Sequence, residues 1–279
     1  MLTTIVLLGA IVAYALGAYL CAPHQRPVGP LPSDLSGEAV TIPSASGSTL
    51  SGWYLPARAN APTVILLHGV RGNRLSMLSR ARFLHQAGYS VLLFDFQAHG
   101  ESSGQHITLG YLESKDAQAA VAFVRAKNPG SKIALLGTSL GGAAALLAHP
   151  PLSVDAMILE LVYPTITQAC EDRIILRLGS PGKYLAPLLT CQLRPRLGIG
   201  PEDLRPIDQV GRITIPKFFI AGAEDKNTTL AESQALFAAA AEPKQCWSVP
   251  GAGHIDLHPF VKTEYEKRVL EFLQKYLEK

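Results

Sequence analysis

Lys132-Ile133-Ala134-Leu135-Leu136-Gly137-Thr138-Ser139-Leu140-Gly141-Gly142 passes from an apolar run through Gly-x-Ser-x-Gly toward the alanines at 143–145. Residues 132–136 read as a buried strand, and the residues after Ser139 as a helix of small side chains. A serine at so sharp a strand-to-helix turn stands clear of both elements, and the flanking glycines remove side chains that would collide there. The short string recurs by chance, so its weight comes from the strand before it and the helix after it.

Outward from this turn, continuous apolar runs recur at 63–67, 90–94, 156–159 and 217–221, with a last one near 245–249. Continuous rather than alternating runs predict strands covered on both faces, which means a parallel sheet. Helical stretches at 75–87, 114–126, 140–148, 229–241 and 261–276 alternate with them, while the runs 39–42 and 49–55 flank a polar turn and read as a hairpin. The fold class expected is therefore α/β: a mostly parallel open sheet with helices on both faces, occupying residues 36–279 as one domain. Residues 163–205 interrupt the rhythm and are too long for a simple crossover. Their apolar positions Ile174, Leu176, Leu178, Leu185, Leu188 and Leu189 predict short helices, broken at Ser180-Pro181-Gly182, forming a cap over the C-terminal edge of the sheet.

Composition removes several classes of function. With 48% hydrophobic and 17% charged residues among 279, the chain has ample apolar surface to fold. A balance of 25 Lys plus Arg against 22 Asp plus Glu leaves only +3, so no nucleic-acid partner is expected. The four cysteines lack metal-site spacing, so no metal is expected, and Cys170 with Cys191 is a candidate disulfide in an oxidising compartment. No phosphate-loop or strand-linked dinucleotide motif occurs, so no cofactor is implied.

From Leu2 to Ala22 there is no charged residue. As a helix this stretch would cover about 30 Å, which predicts a single-pass N-terminal membrane anchor over residues 1–22, with Cys21 as a membrane-buried thiol. A cleaved signal peptide is the alternative, although a basic n-region is missing. Arg26 is the only basic residue close by and does not fix which side the domain occupies. Pro23, Pro27, Pro30 and Pro32 mark residues 23–35 as an extended tether.

A serine hydroxyl is a poor nucleophile until a base takes its proton, and the base in turn needs an orienting carboxylate. In folds built on this turn the partners follow in the order serine, acid, histidine. Only His254 and His258 come late enough. His254 lies in the small-residue loop Pro250-Gly251-Ala252-Gly253-His254, and His258 precedes Pro259, a surface or capping position. For the acid, Glu224 and Asp225 leave the run 217–221 together; Asp225 is favoured, with Glu160 as a fallback. Acyl transfer also needs two N–H donors for an oxyanion. Leu140, next after the serine, supplies one, and Val70 in Leu67-His68-Gly69-Val70-Arg71-Gly72 supplies the other. His68 and Asp95 read as braces of their loops. Arg71, Arg74, Arg80 and Arg82 stand near the expected site, as ordinary solvated arginines or as an attraction for anionic groups.

His68-Gly69, Asp95 to Ser102, Gly137 to Gly141, Asp225 and Gly253-His254 together resemble the α/β-hydrolase superfamily, over roughly residues 39–279. Within it the chain looks like a bacterial membrane-anchored serine hydrolase branch of serine aminopeptidases and esterases. Gln97 departs from the Arg that many relatives carry. The resemblance implies Ser139 as nucleophile, His254 as base and Asp225 as its orienter. The function expected is hydrolysis of a carboxylic ester, with a small acyl molecule as substrate. A membrane-bound peptidase with the same triad is the alternative, with Glu171 and Asp172 as candidate anchors for an α-amino group or else as a solvated helix face. A non-catalytic membrane-tethered binding protein is the third reading.

Overall fold

The computed structural model describes residues 2–278, with side chains from residue 9 onward. Ten strands are described: β1 (His24–Gln25), β2 (Glu38–Pro43), β3 (Thr49–Leu55), β4 (Thr63–Leu67), β5 (Ser90–Phe94), β6 (His99–Gly100), β7 (Ile133–Thr138), β8 (Ala156–Glu160), β9 (Lys217–Gly222) and β10 (Lys244–Val249). Eight of them form one sheet in the order β10-β9-β8-β7-β4-β5-β3-β2. The β2–β3 and β3–β5 pairings are antiparallel, and the pairings from β5 through β4, β7, β8 and β9 to β10 are parallel. The remaining two, β1 and β6, make a separate short parallel pair.

The continuous apolar runs are explained by the two faces. Within β4, Ile65 and Leu67 pack in one core while Val64 and Leu66 pack in the other, and Leu135 is likewise set against Ala134 and Leu136 in β7. Successive side chains of a strand point to opposite faces, so a strand covered on both has no polar side. Burying each such aliphatic side chain contributes roughly 1.5–3 kcal/mol.

Helices α2 (Leu78–Gln86) and α11 (Lys262–Leu277) cover one face, and α3 (Tyr111–Lys127), α4 (Leu140–Leu147) and α9 (Leu230–Ala239) cover the other. Thr229 caps α9, accepting from Glu232 N–H while Glu232 accepts from Thr229 N–H. Between β8 and β9 lie α5 (Ile166–Leu178), α6 (Ala186–Thr190), α7 (Leu193–Leu197) and α8 (Pro206–Val210), and α10 (Leu257–Phe260) precedes α11. Gly179, at φ 75°, ends α5 where Ser180-Pro181-Gly182 marks a break.

The N-terminal helix α1 (Leu2–Cys21) departs from expectation. Among the described residues no helix is long and apolar enough to cross a membrane, which corrects the reading of residues 1–22 as an anchor and of the chain as a single-pass membrane protein. Met1 lies outside the described residues. Residues of α1 lie against α6 rather than standing clear of the domain. Their carbonyls are engaged by the domain: Gln192 donates to Ala13 O, Arg196 to Tyr14 O and Arg71 to Tyr19 O. Cys21 is buried against protein rather than lipid, its carbonyl accepting from Ile107 N–H. Residues 23–35 lie along the domain, with Val28 and Gly29 N–H donating to Glu101 and Arg82 paired with Asp34. Cys170 and Cys191 are both free thiols, so the candidate disulfide is not formed.

Candidate active site

Ser139 is the residue between β7 and α4, at φ 50° and ψ −111°. A non-glycine residue at positive φ is held there by its surroundings. Ser139 N–H donates to Glu160 O at 2.8 Å, which fixes the turn to β8. The glycines are required sterically. A Cβ on Gly141 would fall on the Leu67 carbonyl, and one on Gly137 would lie 2.6 Å from Gly142 N.

His254 and Asp225 arrive on adjacent loops. Asp225 follows β9 and His254 follows β10, and the loops are laced by Ala223 N–H to Val249 O (3.0 Å) and Glu224 N–H to Ala252 O (2.8 Å). Gly222 permits this approach, since a Cβ there would meet Ala252 O at 2.6 Å. His254 Nδ1 lies 2.7 Å from Asp225 Oδ2, and the carboxylate is fully buried. Asp225 Oδ1 accepts from Asn227 and Thr228 N–H, so the carboxylate cannot turn away. An ionised carboxylate only accepts, so Nδ1 carries the proton and Nε2 keeps its lone pair. Ser139 and His254 line one cavity of about 370 Å³ with Gly69 and Val70, although among the described residues no hydrogen bond joins the two side chains. Glu224 is exposed.

The alternatives are engaged elsewhere. Glu160 is buried against Arg80, at 2.8 Å, and Tyr265, and Thr138 Oγ1 donates to it at 3.1 Å. His258 corrects the surface expectation: it is buried, stacked on Phe83 and 2.9 Å from Glu266. The Asp256 side chain caps α10 and turns His258 inward.

His68 braces the loop after β4. Phe96 N–H donates to its Nε2 at 3.0 Å, so its own proton sits on Nδ1, toward Gly69 O at 2.8 Å. Burial pushes its pKa down to about 3, which keeps the ring neutral. His99 stands alike, accepting from Arg71 N–H, with burial holding its pKa below the ordinary value. Asp95 accepts from Arg74 and Glu101 N–H and pairs with the Arg74 guanidinium. Gln97 donates to both His106 O and Glu113.

Val70 sits opposite the turn, and a Cβ on the preceding Gly69 would be 3.8 Å from Ser139 Cβ. Leu140 is the first residue of α4, so its N–H has no partner within the helix. Most of the arginine cluster is neutralised. Arg74 is buried with Asp95 and Glu101, Arg80 with Glu160 and Asp256, and Arg82 is paired with Asp34. Arg71 stacks on Tyr19 with its guanidinium 4.2 Å from the ring centre.

Sequence reasoning missed Arg173 and Asn227 in the wall of the larger cavity, with Arg173 donating to Asn227 O at 3.2 Å. Beyond the strained turn at Ser139, it also missed backbone strain. Of the six described non-glycine residues at positive φ, Arg71, Leu109, Ser139 and Leu161 line the cavities at this site. No composition signal marks such positions.

Comparison with known proteins agrees with this architecture. Residues 58–162 match the family described as Serine aminopeptidase, S33. The uncharacterized protein Rv2307c of Mycobacterium tuberculosis (strain ATCC 25618 / H37Rv) is 30% identical over 82% of this chain and 77% of its own. WAV2 of Arabidopsis thaliana, an alpha/beta hydrolase domain-containing protein, is 28% identical over 90% of this chain and 82% of its own. Among solved structures, the Pyrococcus furiosus esterase Pf2001 is similar at a TM-score of 0.75, covering 91% of this chain and 99% of its own at 24% identity. The chain belongs to the α/β-hydrolase superfamily.

Proposed function

We propose that the protein is a serine hydrolase of carboxylic esters, with Ser139, His254 and Asp225 as its triad. The observation that carries this reading is the 2.7 Å bond from His254 Nδ1 to buried Asp225, made beside the strained Ser139 in one cavity. With Nδ1–H held by Asp225, the free Nε2 is the base. As Ser139 Oγ attacks the ester carbonyl carbon, its proton passes to Nε2 and the carbonyl oxygen becomes an oxyanion. Val70 and Leu140 N–H receive that oxyanion. Collapse breaks the carbonyl–alkoxy bond, and the alcohol leaves with the proton from Nε2–H. Water then attacks the acyl-enzyme, giving its proton to Nε2, and the carboxylic acid departs as Ser139 Oγ regains a proton.

The match to the serine aminopeptidase family and the likeness to the Pyrococcus furiosus esterase support hydrolysis as the activity. For the peptidase alternative, neither Glu171 nor Asp172 lines a cavity containing Ser139, and Asp172 instead lies against Glu232. The test is turnover of short-chain p-nitrophenyl esters. Wild type is expected to release p-nitrophenol and Ser139→Ala to lose about 10⁴-fold or more in kcat. Equal rates from the two proteins would end the proposal.

A further inference from the structure

Ser139 stands at the junction of two cavities of different character. The larger, about 370 Å³, mixes the charged and polar groups of His254, Arg80, Asn227 and Asp256 with Met77, Leu161 and Ile255. The smaller, about 110 Å³, is lined by apolar side chains, including Leu20, Leu109, Leu140, Ile166, Ala169 and Cys170. Val70, Ser139 and Arg173 border both. In acyl transfer the two substituents of the carbonyl carbon have different fates, and only the leaving-group oxygen has to reach the base. His254 lines the larger cavity and not the smaller, so the alcohol belongs on the larger side and the acyl chain in the smaller.

We infer that the C-terminal turn of α1, through Leu20, forms a wall of an acyl-chain site and limits the substrates to esters of short linear acids of about four to six carbons. This rests on Ser139 being the acylated residue. The volume sets the length: a cavity of ~150 Å³ holds benzene, so 110 Å³ takes somewhat less, and a recess of about 30 Å³ behind it shares Leu20, Leu109, Ile166 and Cys170. Gln192 and Arg196 also line that recess while holding the Ala13 and Tyr14 carbonyls, so the far end is closed by the contacts that dock α1. Arg71 on Tyr19 O and Ile107 on Cys21 O hold the last turn in place, so the wall is fixed from both ends. Enclosure by apolar side chains favours methylenes at roughly 0.8 kcal/mol each, while Arg71 and Arg173 border the cavity and Arg196 the recess.

The test uses the full chain with Leu20→Ala, which enlarges the site, and Cys170→Phe, which fills it. In a p-nitrophenyl ester series from acetyl to dodecanoyl, wild type is expected to peak at butanoyl to hexanoyl. Leu20→Ala should move the peak to longer chains, and Cys170→Phe should lower the hexanoyl-to-acetyl ratio of kcat/KM about 10-fold or more. One common chain-length profile for all three proteins overturns the inference. Hexanoate binding, measured by calorimetry on Ser139→Ala and on Ser139→Ala/Cys170→Phe, separates this result from the proposed reaction. Loss of hexanoate affinity in the double variant supports the acyl site even if wild type turns over no ester. Equal affinity in both, or none in either, overturns the acyl site even where esters are cleaved.

Discussion

Asp225 illustrates how one carboxylate can be committed wholly to orientation. Its Oδ1 is held by Asn227 and Thr228 N–H and its Oδ2 by His254, with no face left for water. Asp225→Asn preserves the shape but can present N–H₂ to Nδ1, which reverses the tautomer and moves the lone pair away from Ser139. The expected result is a fall of about 10⁴-fold in kcat for ester hydrolysis with the fold retained, checked by steady-state kinetics beside circular dichroism. The sequence reading set Asp225 rather than Glu224 toward the histidine because consecutive residues on a tight turn point apart, and it is Asp225 that lies 2.7 Å from His254. His258 was less legible. A histidine before proline reads as exposed, and only the stacking on Phe83 and the Glu266 partner reveal a buried ring. Likewise Glu160 was legible as an acid at a strand end, but its commitment to Arg80 and Tyr265 comes from α2 and α11, far away in sequence.

At the scale of elements, α5 crosses the site and leans on the segment that carries Asp225, with Arg173 donating to Asn227 O. One residue earlier, burial and then the bond and charge of Glu232 push the Asp172 pKa up to about 7, against the opposing Arg173. The ordinary value is 3.8, so between about pH 4 and pH 7 the folded protein holds a proton that the unfolded chain has released. Stability from this group is full below that window and falls as pH rises through about 7. Asp172→Asn removes the titration. Melting temperatures from pH 4 to pH 8 should therefore show the variant gaining on wild type as pH rises, and parallel curves would contradict the assignment. The same pair sets Asp172 against Glu232 of α9, a neighbour that its sequence context does not show.

Across the whole molecule, the sheet was the most legible part because a strand covered on both faces leaves an uninterrupted apolar run. The runs 63–67 and 90–94 coincide with β4 and β5. The N-terminal segment was the least legible: a run without charges carries the same pattern whether lipid or protein receives it. Its docking depends on Gln192, Arg196 and Arg71, which are polar residues that periodicity ignores. The insertion was visible as an interval of excess length expected over the C-terminal edge of the sheet, and its Ile166, Cys170 and Arg173 line the cavity beside Ser139. The central claim, an activated Ser139 served by His254 and Asp225, joins three loops at one edge of the sheet and is tested most directly by fluorophosphonate labelling of the purified chain. Wild type should be modified at Ser139, Ser139→Ala should take up no label, and His254→Ala should react far more slowly. Folded wild type that resists the probe, or label that persists in Ser139→Ala, would contradict it.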